Sequence, residues 1–192
     1  MSDFIKYFNA GWHHITDYRS LDHILLVVAL CVRYLFTDWK KVLIIITAFT
    51  IGHAITMAIS VFDIFNISRR WLQFLIPFSI IVAAISNLFV KKFVYRHKYP
   101  PIYFLAVVFG LIHGFTFTNF FIGFSGTGQI ILKIIGYVSG IEAGQLLVVL
   151  AMLLLTFVCI NIFKVNRREY ILFLSGGVLA VALQMALQRM PF

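Results

Sequence analysis

The 192-residue chain is 61% apolar and 12% charged, and its mean hydropathy is +0.97, so a soluble domain of this size would expose large apolar patches. Its net charge of +9 could suggest a nucleic-acid partner, but the basic residues lie in short clusters between apolar runs, as in the loops that flank membrane helices. Cys31 and Cys159 both lie inside apolar runs, which argues against a disulfide framework and a thiolate metal motif. The composition predicts an all-α polytopic membrane protein, surrounded by a lipid bilayer and without a nucleic-acid partner.

Apolar runs of about 20 residues predict a bundle of six transmembrane helices, which form one domain over residues 1–192. The predicted spans are residues 21–37, 41–62, 71–90, 101–122, 139–163 and 168–188. Residues 2–12 (SDFIKYFNAGW) are expected to form a short amphipathic helix on the membrane surface. Residues 128–163 are too long for one upright span, so residues 128–140 are expected to form a short interfacial or re-entrant helix before span five.

The basic residues predict the orientation of the spans. If both termini lie outside, the larger basic clusters, at residues 91–98 and 164–168, face the inside, which is the usual bias. Residues 1–20 are mixed and polar and do not resemble a cleavable signal peptide, so the first span is expected to direct insertion.

Histidines and carboxylates occur near the outer ends of four predicted spans. Some of them lie at the start of spans one and five, which begin outside. The others lie past the midpoints of spans two and four, which run outward. These residues are His14, Asp22, His23, His53, His113 and Glu142. An ionisable group inside an apolar run is costly unless it has a partner, so this layer is the candidate functional site.

Each buried histidine also has a purely structural interpretation, a hydrogen bond to a neighbouring helix. For His53 a functional role is favoured because the residue lies on a stripe of Thr and Ser at helical spacing, which is expected to face the bundle interior. His113 is flanked by Gly110 and Gly114, which suit close helix packing and also leave room for a ligand.

Neutral imidazole together with carboxylate suits a divalent transition metal ion such as zinc, nickel or cobalt. Magnesium and calcium would require more oxygen ligands, and copper(I) more sulfur. A haem held between His53 and His113 is conceivable, but a small ion fits better beside Asp22 and Glu142.

The segments HITDYRSLDHILLVVAL, TAFTIGHAIT, GLIHGF and GIEAGQ, each on its own span, resemble the HupE/UreJ family of small bacterial membrane proteins, particularly its Bacteroidetes forms. Members are associated with hydrogenase and urease gene clusters and are regarded as nickel or cobalt permeases, which implies a location in the bacterial inner (cytoplasmic) membrane. The resemblance assigns the family's site residues to His14, Asp22, His23, His53, His113, Gly114 and Glu142. Seven residues separate His14 from Asp22 where the family commonly has five, and span four carries only one histidine, so the identity of the metal stays open.

The leading hypothesis is a permease that takes a divalent metal ion from the outer side. The expected nitrogen ligands are His23, His53 and His113. Asp22 or Glu142 would supply oxygen or orient a histidine, and His14 would be a capture ligand at the mouth of the site.

Two alternatives remain open. In a zinc-dependent intramembrane hydrolase, the same histidines would activate a water molecule in the outer leaflet, with Asp22 or Glu142 as the general base. In an accessory subunit, the metal would only hold the helices together, and a partner would supply the function. The partners considered are a membrane partner protein and, in a homo-oligomer, further copies of the chain. Transport is favoured over catalysis.

Overall fold

The computed structural model of the chain describes residues 2–17, 20–60, 68–89, 101–115 and 127–191. All regular structure in these segments is helical, which confirms the all-α prediction. The α-helices are α1 (Ser2–Thr16), α2 (Leu21–Cys31), α3 (Trp39–Ser60), α4 (Arg69–Leu88), α5 (Pro101–Gly114), α6 (Thr127–Phe157) and α7 (Arg167–Gln188). A 3-10 turn at Phe36–Asp38 precedes α3, and a π-helical turn at Val158–Ile162 extends α6.

Among the described residues, four helices are long and apolar enough to cross a membrane. They cover Phe36–Ser60, Arg69–Leu88, Ile130–Ile162 and Arg167–Gln188, and they correspond to four of the six predicted spans. The described parts of the other two spans are shorter apolar helices, α2 with 11 residues and α5 with 14. At 1.5 Å per residue these are only about 16 and 21 Å long, against a hydrocarbon core of about 30 Å. Residues 61–62, 90 and 116–122 of the predicted spans lie outside the described residues.

Helix α6 is continuous from Thr127 to Phe157, so the prediction of a separate short helix at residues 128–140 is wrong. Three glycines that could interrupt a helix in the sequence, Gly136, Gly140 and Gly144, instead lie one turn apart on the side that faces α1. A Cβ atom at Gly140 would collide with the carbonyl oxygen of Phe8. These glycines therefore serve close helix packing.

Helix α1 packs lengthwise and in parallel on the first half of α6. Phe4 lies beside Gly136 and Ile15 beside Gly144, while Tyr7 and Ile15 are buried with Tyr137. The predicted position of residues 2–12 on the membrane surface is not confirmed, because the apolar side of this helix packs against protein. As a result, the last turn of α1 lies close to the first turn of α2.

Helices α3 and α5 run parallel and pack closely through glycines. Gly110 faces the backbone of Phe49, and a Cβ atom at Gly114 would lie 2.6 Å from the carbonyl oxygen of His53. This contact requires glycine at both positions and brings the C-terminal ends of the two helices together. His53 and His113 lie at those ends.

A buried polar group lies just beyond the C-terminal end of α2. Arg33 is 8% exposed and donates from Nε to Oδ1 of Asn87, at 2.8 Å, and from Nη2 to Oγ of Ser86, at 2.7 Å. Asn87 donates in turn to the carbonyl oxygen of Ala29, at 2.7 Å. Within the described segments no carboxylate pairs with Arg33, so neutral oxygens solvate this cation and fasten α2 to α4.

Candidate metal site

Four histidines from four helices meet at one end of the bundle. His14 comes from the last turn of α1, His23 from the first turn of α2, His53 from α3 and His113 from the last turn of α5. The ring centroid of His23 lies 4.6 Å from that of His14, 5.0 Å from that of His113 and 6.2 Å from that of His53. His53 and His113 are completely buried and His23 is 4% exposed, so His23 is the centre of a histidine cluster closed to solvent on most sides.

Asp22 orients His23. Its Oδ1 atom lies 3.3 Å from Nδ1 of His23 and also accepts the backbone N–H of His23 at 3.1 Å. Because a carboxylate only accepts hydrogen bonds, Nδ1 of His23 carries a proton, and when the ring is neutral its lone pair is on Nε2. The other carboxylate oxygen, Oδ2, lies 3.4 Å from Nη1 of Arg189, just beyond the end of α7.

His14 continues this chain of hydrogen bonds. Its Nε2 atom lies 3.4 Å from Nε2 of His23, and His14 is the donor in this contact when the His23 ring is neutral. Burial lowers the pKa of His14 to about 3. His14 is therefore a neutral imidazole at physiological pH, which is the form that binds metal ions.

A serine and an aromatic ring flank the two deepest histidines. Ser79 of α4 has its Oγ atom 3.2 Å from Nε2 of His113. The ring of Phe49 lies between α3 and α5, with its centroid 5.4 Å from that of His113 and 5.8 Å from that of His53. The contact with Ser79 orients the His113 ring, and the Phe49 ring limits the room beside both imidazoles.

Glu142 does not join this cluster. Its carboxylate accepts a hydrogen bond from Oγ1 of Thr47 at 2.8 Å, and among the described residues it makes no hydrogen bond or ion pair with a histidine. Thr47 precedes His53 by six residues on α3, which is about 9 Å along the helix axis. The structure thus brings together five of the six predicted site residues and places the sixth nearer the N-terminal end of α3.

In their present side-chain conformations the five clustered residues do not form a complete metal-binding site. Across the described ranges, no three His, Cys, Asp or Glu residues are arranged to hold one ion. In this arrangement the His14 ring lies 3.4 Å from Nε2 of His23. Coordination at that atom requires the His14 ring to turn away from it.

Sequence reasoning missed three residues of the site. Ser79 is one of two serines in an apolar span, two residues after Pro77, and nothing in the sequence relates it to a histidine. Phe49 is one of 21 phenylalanines. Arg189 counted only as a basic residue near a span end, and its proximity to Asp22 depends on how α7 packs.

The comparisons with known proteins identify the family of the chain. No curated protein and no solved structure matches it. The family model described as HupE / UreJ protein matches residues 1–189, which include every helix described above. This protein therefore belongs to the HupE/UreJ family of membrane proteins.

Proposed function

We propose that this protein is an inner-membrane permease that binds a divalent transition metal ion at the histidine cluster and takes it from the outer side. Members of its family are generally membrane proteins related to nickel or cobalt transport. The observation that carries the proposal is the convergence of three buried histidines, His23, His53 and His113, from three helices. The ring centroid of His23 lies 5.0 Å from that of His113 and 6.2 Å from that of His53. Imidazole nitrogens are the ligands that nickel, cobalt and zinc share.

In this proposal the hydrogen bond between His14 and His23 is the state that precedes metal binding. An arriving ion replaces the His14 N–H at Nε2 of His23, and the half-buried His14 ring turns to become a further nitrogen ligand. Asp22 keeps its hydrogen bond to Nδ1 of His23 throughout, which orients the ring and raises its basicity toward the metal. His14 therefore acts within the cluster and not only at its mouth.

In this proposal Glu142 supplies an oxygen ligand for an ion that moves inward from the histidine cluster. Because α3 runs outward in the proposed topology, Thr47 lies on the inner side of His53, about 9 Å away along the helix axis, and the Glu142 carboxylate accepts its hydrogen bond. An ion that leaves the histidines would meet this carboxylate next. This position would supply the inner half of the bundle with a ligand for the ion.

The direction of uptake depends on the topology. The cluster lies at the end of the bundle that holds the first turn of α2, the last turn of α5 and Arg189 near the C-terminus. With α2 and α5 as parts of spans at residues 21–37 and 101–122, six crossings leave both termini on one side. The bias of basic residues makes that side the outer one.

Transport by purified protein in proteoliposomes tests the proposal. Nickel, cobalt and zinc are offered separately outside vesicles that contain a metal-sensitive dye. The wild-type protein should admit at least one of these ions, His53→Ala and His113→Ala should abolish entry, and His13→Ala should be normal because His13 is exposed on α1. Vesicles that admit no metal beyond a protein-free control, or variants as active as wild type, would refute it.

A further inference from the structure

The hydroxyl of Ser79 contacts two groups, and only one arrangement of protons satisfies both. Ser79 is 1% exposed, and its Oγ atom lies 2.7 Å from the carbonyl oxygen of Ile76 and 3.2 Å from Nε2 of His113. A hydroxyl has one proton to donate. Two oxygens 2.7 Å apart with no proton between them would repel each other, so the proton of Ser79 points to Ile76.

This arrangement determines the proton on His113. Since the Ser79 proton is directed at the carbonyl, the hydroxyl can only accept from the imidazole, and Nε2 of His113 must carry the hydrogen. In the neutral ring the other nitrogen, Nδ1, then holds the lone pair. A metal ion can bind only at that nitrogen unless the ring loses its contact with Ser79.

We infer that Ser79 is a positioning residue that holds His113 in the Nε2–H tautomer and presents its Nδ1 atom to the metal ion. The second half of this inference rests on the proposed function, whereas the tautomer stands on the geometry alone. His23 is held in the opposite way, with the proton on Nδ1 and the lone pair on Nε2. The site would thus combine Nε2 coordination by His23 with Nδ1 coordination by His113.

Ser86, on the same helix, provides a matched control. It donates to the carbonyl oxygen of Ala83 at 2.7 Å, the same bond to the residue three positions earlier that Ser79 makes. Its oxygen also accepts a hydrogen bond, but from Nη2 of Arg33. Ser86→Ala therefore removes an equivalent hydroxyl from α4 without touching a histidine.

The tautomer is measured first, without metal. Protein labelled with 15N-histidine is reconstituted in lipid, and the His113 nitrogens are assigned with a His113→Gln variant. Nε2 should carry the proton in wild type and in Ser86→Ala, whereas Ser79→Ala should show the other tautomer or a mixture. A proton on Nδ1 of His113 in wild type, or an unchanged spectrum in Ser79→Ala, would overturn the inference. If Ser79→Ala fails to fold, the wild-type spectrum decides.

Metal retention in a chelator titration then tests the link to binding. Ser79→Ala should lose about 10- to 100-fold in apparent affinity, as is typical when a residue that orients a ligand is removed. Ser79→Thr, which keeps the hydroxyl, should retain most of the affinity, and so should Ser86→Ala, in which Asn87 still accepts from Arg33. Equal retention by Ser79→Ala and Ser86→Ala overturns the positioning role. A wild-type protein that retains no metal would refute the proposed function, while the nitrogen spectrum would still decide the tautomer.

Discussion

Nε2 of His14 lies 3.4 Å from Nε2 of His23, which makes the N-terminal helix a part of the histidine cluster. The contact joins residues nine positions apart in sequence, across the connection between α1 and α2. It depends on the packing of α1 along α6, which places the last turn of α1 beside the first turn of α2. The cluster is therefore sensitive to anything that shifts α1.

Replacing His14 by Ala should weaken metal retention by at least tenfold, which is roughly the smallest loss seen when a residue that orients a ligand is removed. Its neighbour His13 is exposed, so His13→Ala is the matched control and should retain metal normally. A chelator titration of the purified variants measures both. If His14→Ala retains metal as wild type does, the contact with His23 has no part in binding.

Asp22→Asn should reduce metal retention by about 10- to 100-fold, because the acceptor that fixes the Nδ1 proton of His23 is replaced by an amide that can also donate. Arg189→Gln is the comparison, since it removes the 3.4 Å contact on the other carboxylate oxygen and leaves the hydrogen bond to His23 in place. That contact is partly exposed and should contribute little. Equal losses in the two variants would show that the contact between Asp22 and Arg189, and not the orientation of His23, accounts for the loss.

Gly140→Ala should displace α1 and disturb the cluster from a distance. A Cβ atom there would lie 2.8 Å from the backbone nitrogen of Trp12, and such overpacking costs about 1–3 kcal/mol. Gly176→Ala is the matched control, because no atom lies within 4 Å of a Cβ atom at that position. Thermal unfolding in detergent and metal retention should both fall for Gly140→Ala alone. Identical behaviour of the two variants would mean that α1 is not held by this contact.

The cellular side of the site follows from labelling of single cysteines. With Cys31 and Cys159 replaced by Ala, Met190→Cys tests the C-terminal end and Val165→Cys tests the connection before α7. Both native side chains are exposed, at 48% and 39%. A membrane-impermeant thiol reagent added outside intact cells should label position 190 and leave position 165 unlabelled until the cells are broken. The reverse pattern would place the histidine cluster on the inner side.

The parts of the fold that follow from local pattern could be predicted from the sequence. Long apolar runs predict helices because a backbone in lipid must satisfy its own hydrogen bonds, and the alternation of direction puts the ends of α3 and α5 at one level. The grouping of His53 with His113 follows from that alternation. Their convergence with His23 follows from packing, which the sequence does not encode locally.

The parts that depend on tertiary contacts could not be predicted. Glycines at 136 and 140 have the same appearance in a sequence whether they interrupt a helix or admit a neighbour, and the position of α1 decides between these outcomes. Glu142 opens the predicted fifth span, but the rotation of α6 directs its carboxylate to Thr47. The role of Ser79 likewise depends on a contact 34 residues away in sequence.

The most direct test of the central claim is elemental analysis of purified protein, loaded in turn with nickel, cobalt and zinc and then washed. The wild type should keep a stoichiometric amount of at least one metal, with nitrogen ligands visible by X-ray absorption. His53→Ala and His113→Ala should each lose it, while His13→Ala keeps it. A wild-type protein that retains no metal, or full occupancy in both buried-histidine variants, would contradict the assignment of the histidine cluster as the metal site.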